Sequence, residues 1–389
     1  MAVAITHTPI NCRASIQCLH AAFRRVRAAR TRKRRKVQER HQRHSWSSTG
    51  QRWAFLRHAL HDAGRQRARP PAVFTRRYSE RVFEPGRLHN WGRWGQDDEL
   101  GTANFITAEA IVAAARLVRR GVVISCALPL DATGPTYPTR RLPQHLMTRS
   151  GADYAAGHPT FGNVPDGGMK FADDYLFAAL QCSTQWDALS HAWYGNELYN
   201  GFPETAVRNT GAARLGIDKL YRHFVGRGVL LDLARAINGG ERLPQGHAIT
   251  PVELDAGLAF ARTGVRRGDV LLIRTGHVPW FYTLSDKAPY WNGAPGLGSE
   301  TVAWLHQHEI AAVAMDTVAV EVQPAEHGTG LPLHGALLRD LGLTLGELFD
   351  LEALASDCVE DGVYEFLFVA QPLRIPGAVG SPINPLAIK

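Results

Sequence analysis

The sequence predicts a mixed α/β domain over residues 85–389, with its chemistry gathered at one edge of a sheet. Three observations carry this. Segments of β-rich composition alternate with segments of helical periodicity. Polar residues collect where β-rich runs end, at Arg274, at Asp316 and in the stretch that starts at Gln181. No strong linker interrupts residues 85–389, and no internal repeat recurs at a fixed period.

Charge separates this domain from what precedes it. The chain has 389 residues and a formal net charge of +8. Residues 1–70 hold 17 Lys and Arg against two acids, Glu39 and Asp62, a balance of +15. The remaining 319 residues balance at −7, so the basic character belongs to one end. Residues 1–84 are therefore expected to form a basic, disordered extension. A nucleic-acid arm, an organelle transit peptide and sequence upstream of the true start all fit that composition. Against the first, the positive charge lacks aromatic interleaving and a recognisable fold, so nucleic acid is not an expected partner. No run reaches the ~18 apolar residues that span a bilayer. The five cysteines, Cys12, Cys18, Cys126, Cys182 and Cys358, are odd in number and form no CxxC pair. This fits a reduced, cytoplasmic protein without a disulfide framework.

The elements follow in order. Trp91 and Trp94 stand among glycines and acids in a turn-rich segment, Arg87–Asn104, read as a lid or arm. Thr107 caps a helix that ends before Gly121. Val122–Leu130 reads as a strand, and the Pro- and Gly-rich run Asp131–Gly168 as one long loop. Asp174–Leu180 reads as a strand leading straight into Gln181. Val229–Leu233 is a further strand. Thr250-Pro-Val-Glu253 is a capping box with Pro at the first helical position, which predicts a helix to about Arg262. Asp269–Thr275 and Ile310–Met315 read as strands around a helix at Ser299–His308. Leu333–Leu341 is helical in pattern, and Tyr364–Val369 is the last strand.

The stretch Leu180–Gly201 carries the strongest chemical signal. Asp187 and His191 set a hard oxygen and an imidazole four residues apart, which suits a divalent metal or an acid–base pair. Taken alone, a capped turn and a core histidine explain the two as well. Farther on, His334 lies in LPLHGALL and Glu347 in LTLGELFDLEAL. A buried acid needs a partner, and a metal is one. Glu347 flanking a helix near Phe349 is the plainer reading. Other chemistries find little support. The sequence has no GxSxG elbow, no Walker A run, no GxGxxG after a strand and no HExxH. Cys182 reads as a small buried hydrophobe.

These segments resemble the cyclase family of metal-dependent hydrolases, which includes bacterial kynurenine formamidase and isatin hydrolase. The resemblance rests on TQWDALSH, LPLHGALL, LGELFDL and FVAQPLRIPGAVGSPINPLAI. WGRWGQDDELGTANFI and GPTYPTRR are similar to the branch that carries GTQWD in its motif. It covers about residues 85–389 and implies a swivelling β/β/α fold, assembled as a homodimer or homotetramer. It also implies arylformamidase-like hydrolysis of an amide, a lactam or a related C–N or C–O bond. The family's metal motif is HxGTHxDxPxH, and here it reads QCSTQWDALSH. Asp187 matches the motif aspartate and His191 the last histidine. Gln181 and Gln185 stand where the first two histidines would be, and Ser183 where the glycine would be. His334 and Glu347 match the later ligands.

The resulting expectation is one divalent ion, Zn²⁺ or Mn²⁺, held by Asp187, His334 and Glu347, with Gln185 as an optional oxygen ligand. Asp187 and His191 would carry the chemistry, His191 as ligand or general acid–base. Trp186, Trp193 and Tyr194 would wall a small-molecule substrate. The rival reading is a metal-free binding protein on a degenerate hydrolase fold.

Overall fold

The computed structural model describes residues 88–157, 168–326 and 330–389. The expectation for residues 1–84 lies outside these. A mixed nine-stranded sheet organises the rest. Its strands are β1 (Val123–Ser125), β2 (Gln185–Asp187), β3 (Val225–Asp232), β4 (Val270–Arg274), β5 (Ala312–Met315), β6 (Thr344–Glu347), β7 (Glu365–Val369), β8 (Gly380–Pro382) and β9 (Leu386–Ile388). They lie in the order β1-β9-β7-β3-β4-β5-β6-β2-β8. Strands β3, β4, β5 and β6 run parallel, and the flanking pairs are antiparallel.

The parallel strands are buried on both faces, which is why they read as continuous apolar runs. Alternate residues enter alternate cores. Val229, Leu231, Leu271, Ile273, Val313, Met315 and Leu345 face one cluster. Leu230, Val270, Leu272, Ala312, Ala314 and Trp186 face the other. The mixed α/β class expected from the sequence is the one observed.

Local signals account for the helices. Thr107 accepts a hydrogen bond from the Ala110 N–H and starts α1 (Ala108–Ala115), which is shorter than expected. A short helix α2 (Leu233–Asn238) follows β3 and ends at Gly239 in the left-handed region. The Thr250–Glu253 capping box forms in full and opens α3 (Pro251–Ala261). Helix α4 (His277–Thr283) follows β4, α5 (Thr301–Gln307) precedes β5, and α6 (Glu352–Asp361) follows β6. The segment expected to be helical from Leu333 is a single turn, Pro332–His334, that widens into a π-helix over Gly335–Leu341. Such widened turns recur at functional sites. Among the described residues no helix is long and apolar enough to cross a membrane.

The structure corrects three assignments. The long loop after β1 contains a two-stranded ribbon, Gln144–Arg149 against Asp173–Phe177, separate from the main sheet. The run at Asp174 therefore does not feed the sheet directly. The strands β2, β8 and β9, toward the two margins of the sheet, are three residues each, too short for a period to show. Glu347 ends strand β6 rather than flanking a helix.

That strand pairing places the site. Glu347 lies opposite Gln185, and Gly346 opposite Trp186. Paired residues share a face, and neighbours along a strand do not. Gln185, Asp187 and Glu347 thus point one way, while Trp186 points the other. Gly346 is required beneath Trp186: a Cβ there would lie 2.6 Å from the indole and 2.7 Å from the Phe349 ring. Gly346→Ala is expected to overpack this layer and cost about 1–3 kcal/mol. Chemical denaturation measures it, and a change below about 0.5 kcal/mol, the size of an ordinary surface substitution, contradicts the packing argument.

Candidate metal centre

Two short edge pairings and one widened helix bring three ligand types together. Asp187, His334 and Glu347 each offer an atom within 4.8 Å of the others, and all three are buried. His334 Nε2 lies 3.9 Å from Asp187 Oδ2 and 3.4 Å from Glu347 Oε1. The sequence named all three residues, and the structure brings them together.

Each ligand has an orienting partner. Glu321 holds His334 from the far side, accepting from Nδ1 at 2.6 Å and from the His334 and Leu333 backbone N–H groups at 3.1 and 3.2 Å. With Nδ1–H so engaged, Nε2 is the nitrogen turned to the cluster. Glu347 Oε1 accepts from the Ala319 N–H at 3.0 Å. The loop that supplies both contacts is strained. Ala319 and Val320 have φ of 77° and 55°, a left-handed backbone that a β-branched residue rarely adopts. Glu321 was not foreseen. Its only sequence signal is an acid in an apolar stretch, VAVEVQ, five residues after Asp316 in the turn-rich run beyond β5.

Gln185 sits inside the cluster. Its Nε2 donates to Glu347 Oε2 at 3.0 Å and to Asp187 Oδ1 at 3.4 Å. Its Oε1 has no partner, and neither has Asp187 Oδ2, although both are buried. A half-turn of the amide would turn Oε1 toward Asp187 Oδ1 and Glu347 Oε2, the atoms that Nε2 now meets. Gln181 does not join: its buried Nε2 packs against Gly380. Among the described residues this leaves one cluster of metal-ligand type.

The electrostatics describe a site short of one positive charge. Burial, and then the charge of Glu347, push the Asp187 carboxyl well above the usual range. Burial disfavours the charged form of His334, yet Glu321 and Glu347 outweigh it and raise the imidazolium to about 10. Burial also opposes ionised Glu347, but His334 prevails and holds it below its ordinary value. The His334 cation, shared with Glu321, thus favours ionised Glu347, while Asp187 is pushed toward its neutral form. Two carboxylates, an imidazole and an amide oxygen are a donor set for Zn²⁺ or Mn²⁺. The two orphaned oxygens and the unmatched acid fit such an ion.

His191 borders this cluster, with Nε2 3.8 Å from Asp187 Oδ1. Burial, then the nearby His334 charge, lower its pKa to about 4, so the ring is neutral near pH 7. His191, His334 and Glu347 open onto a cavity of about 360 Å³ whose other walls include Tyr137, Arg140, Tyr290 and Trp291. A neighbouring, more open hollow runs from His191 past Trp193, Tyr194 and Leu331. Trp193 and Tyr194 thus border the approach rather than the cavity beside the cluster. Their polar atoms are engaged, Trp193 Nε1 with Glu204 and Tyr194 Oη with Asp340. Trp186 is not a pocket wall: it is 0% exposed, packs on Phe224 and Phe349, and donates to the Ala370 carbonyl.

The other strand-end polar residues are structural. Arg274 pairs with Asp232 and Glu352. Asp316 accepts from the Thr275, Gly276 and His277 N–H groups and so ties down the start of α4.

Comparison with known proteins agrees with this architecture. Residues 124–322 match the Cyclase family model. A crystal structure described as a novel cyclase is 50% identical, with a TM-score of 0.73, covering 78% of this chain and 98% of that one. Isatin hydrolase A from Labrenzia aggregata, bound to benzyl benzoate, has a TM-score of 0.50 at 19% identity, covering 72% of this chain and 97% of that one. This second likeness concerns the fold alone. No curated protein matches the sequence.

Glu321 supplies the test of this geometry. Glu321→Gln keeps the shape but weakens the hold on the His334 Nδ1–H, and metal affinity is expected to fall about 10–100-fold. Equilibrium dialysis with Zn²⁺ measures it. Unchanged affinity would remove Glu321 from the site.

Proposed function

This chain belongs to the Cyclase family, and on that premise we propose that it is a metal-dependent hydrolase opening an amide, lactam or lactone bond of a small molecule. The observation that carries the proposal is the convergence of Asp187, His334 and Glu347, with two unpartnered oxygens, at a cavity of small-molecule size. A divalent ion, Zn²⁺ or Mn²⁺, would there supply Lewis acidity toward a carbonyl and lower the pKa of water.

The protein's own groups divide the remaining work. Asp187 and Glu347 contribute negative charge, and His334 contributes a neutral nitrogen fixed by Glu321. Gln185 offers its amide oxygen after the half-turn. His191 is neutral and lies beside the ligands on the cavity wall. It can accept a proton from the attacking water and return it to the leaving nitrogen or oxygen. Trp193 and Tyr194 flank the approach to this point. The cysteines at 126, 182 and 358 are free and buried, in keeping with a reducing compartment such as the cytoplasm.

We also propose a homo-oligomer, a dimer or tetramer. The Trp91–Trp94 segment is an unsuitable arm, because Trp91 donates to the Arg339 carbonyl and Trp94 packs edge-on against Phe105. The ribbon after β1 is better suited. Leu146, Tyr175 and Phe177 stand on it 55%, 68% and 58% exposed. An isolated two-stranded ribbon is marginal by itself. An antiparallel edge is also self-complementary about a two-fold axis. Leu146→Lys with Tyr175→Lys is expected to yield monomer in light scattering at micromolar concentration. Wild-type protein already monomeric there contradicts the proposal.

Metal stoichiometry tests the central reading. Asp187→Ala is expected to abolish both metal content and hydrolysis while the fold survives. His191→Ala should retain metal and lose about 10²–10⁴-fold in rate. Gln185→His should bind metal more tightly or take up a second ion. Wild-type protein that refuses Zn²⁺ and Mn²⁺ yet hydrolyses its substrate would sink the mechanism. Protein that neither binds metal nor hydrolyses a panel of formamides, lactams and lactones would be the binding protein that Gln181 and Gln185 recommend.

A further inference from the structure

The cavity beside the cluster contains one group that hydrolysis by Asp187, His191, His334 and Glu347 leaves unused. Arg140 lines its wall. Its guanidinium has a single hydrogen bond among the described residues, from Nη1 to the Gln181 carbonyl. No carboxylate among the described residues forms an ion pair with it. Its charge is nevertheless felt at Asp187, His191 and Glu347, so it stands near the reacting region. A guanidinium keeps its charge under all conditions met in proteins. Placing one in a half-enclosed cavity without a partner is costly unless something else pairs with it.

The bond to Gln181 matters for geometry. It ties the guanidinium to the segment that leads into β2 and leaves Nε and Nη2 unclaimed. A planar fork held at one corner is prepared for a planar, two-oxygen acceptor. The neighbouring surfaces are flat and aromatic. Tyr137 meets Trp291 edge-on at 5.8 Å, and Tyr290 meets Trp291 edge-on at 4.9 Å. About 360 Å³ is room enough for one ring with its substituents. Once a divalent ion offsets Asp187 and Glu347, Arg140 is the charge left on the cavity wall.

We infer that Arg140 is the specificity residue of this cavity and that the substrate is a small planar acid, its carboxylate on the guanidinium and its scissile acyl group at the Asp187–His334–Glu347 cluster. The inference rests on the hydrolase reading for the position of the scissile bond. It rests on Arg140 alone for the anion.

Calorimetry with benzoate and its neutral isostere benzamide separates the two. The full chain loaded with Zn²⁺ is expected to bind benzoate about tenfold or more tighter than benzamide, the worth of a charge-assisted pair. In Arg140→Gln that preference should vanish, and in Arg140→Lys it should return in part, since an ammonium keeps the charge and loses the fork. Metal content should be the same in all three proteins. A benzoate preference that survives in Arg140→Gln would mean the carboxylate seeks the ion, and equal affinities in wild type would mean the cavity does not read charge. Either result overturns the inference. If no form takes up metal but the Arg140-dependent preference is intact, the acid specificity stands and the metal-dependent mechanism falls.

Discussion

Two buried carboxylates held side by side impose the central constraint on this molecule. Asp187 and Glu347 are both buried, and each faces His334. Like charges so placed cannot both ionise without a compensating cation. The imidazolium supplies one positive charge, and burial with the Glu347 charge pushes Asp187 toward its neutral form. The surroundings do little to relieve this: Asp187 Oδ2 and Gln185 Oε1 have no hydrogen-bond partner. A site built for stability alone would gain from apolar replacements here. The arrangement makes physical sense as a socket for a dication.

The sheet exists in its observed form to hold that socket open. The three-residue β2, clamped between β6 and β8, could not persist alone. Its register is fixed instead by Trp186, which drives into the core against Phe224 and Phe349 and needs Gly346 beside it. Because side chains alternate, anchoring Trp186 in the core aims Gln185 and Asp187 at the opposite face. The helical side is fixed differently. Glu321 grips the first turn by two backbone N–H groups and the His334 ring, and it does so from a loop whose left-handed residues record the strain. Packing energy on one face of the sheet is thus converted into ligand position on the other.

Sequence and structure agree where local signals were dense. The Thr250–Glu253 box, the Thr107 cap and the long apolar strands are set by interactions within a few residues, and each formed as read. The ligands Asp187, His334 and Glu347 were legible only by motif, since 160 residues of chain separate the first from the last and no periodicity spans that distance. Gln185 was read as a possible oxygen ligand, yet the structure shows its nitrogen turned to the acids. An amide looks the same in sequence whichever way it faces. Trp186 was misplaced because adjacency in sequence to a site residue means the opposite face in a strand, and a three-residue strand gives no pattern to reveal itself. Glu321 and Arg140 were missed for a common reason. Each acts through a partner far away in sequence, Arg140 through the Gln181 carbonyl and Glu321 through a helix turn beyond it.

Replacing two imidazoles by glutamines changes the chemistry in a definite direction. An imidazole in place of Gln185 would, while neutral, bring one ligand nitrogen and a single N–H donor. The amide brings two N–H donors, and it spends them on Asp187 and Glu347. It thereby meets both acids at once, where a neutral histidine has a single N–H to give. Binding an ion then requires that amide to turn and surrender both bonds, so uptake competes with a local hydrogen-bond network as well as with the His334 proton. With Gln181 turned aside against Gly380, no second set of ligands forms among the described residues.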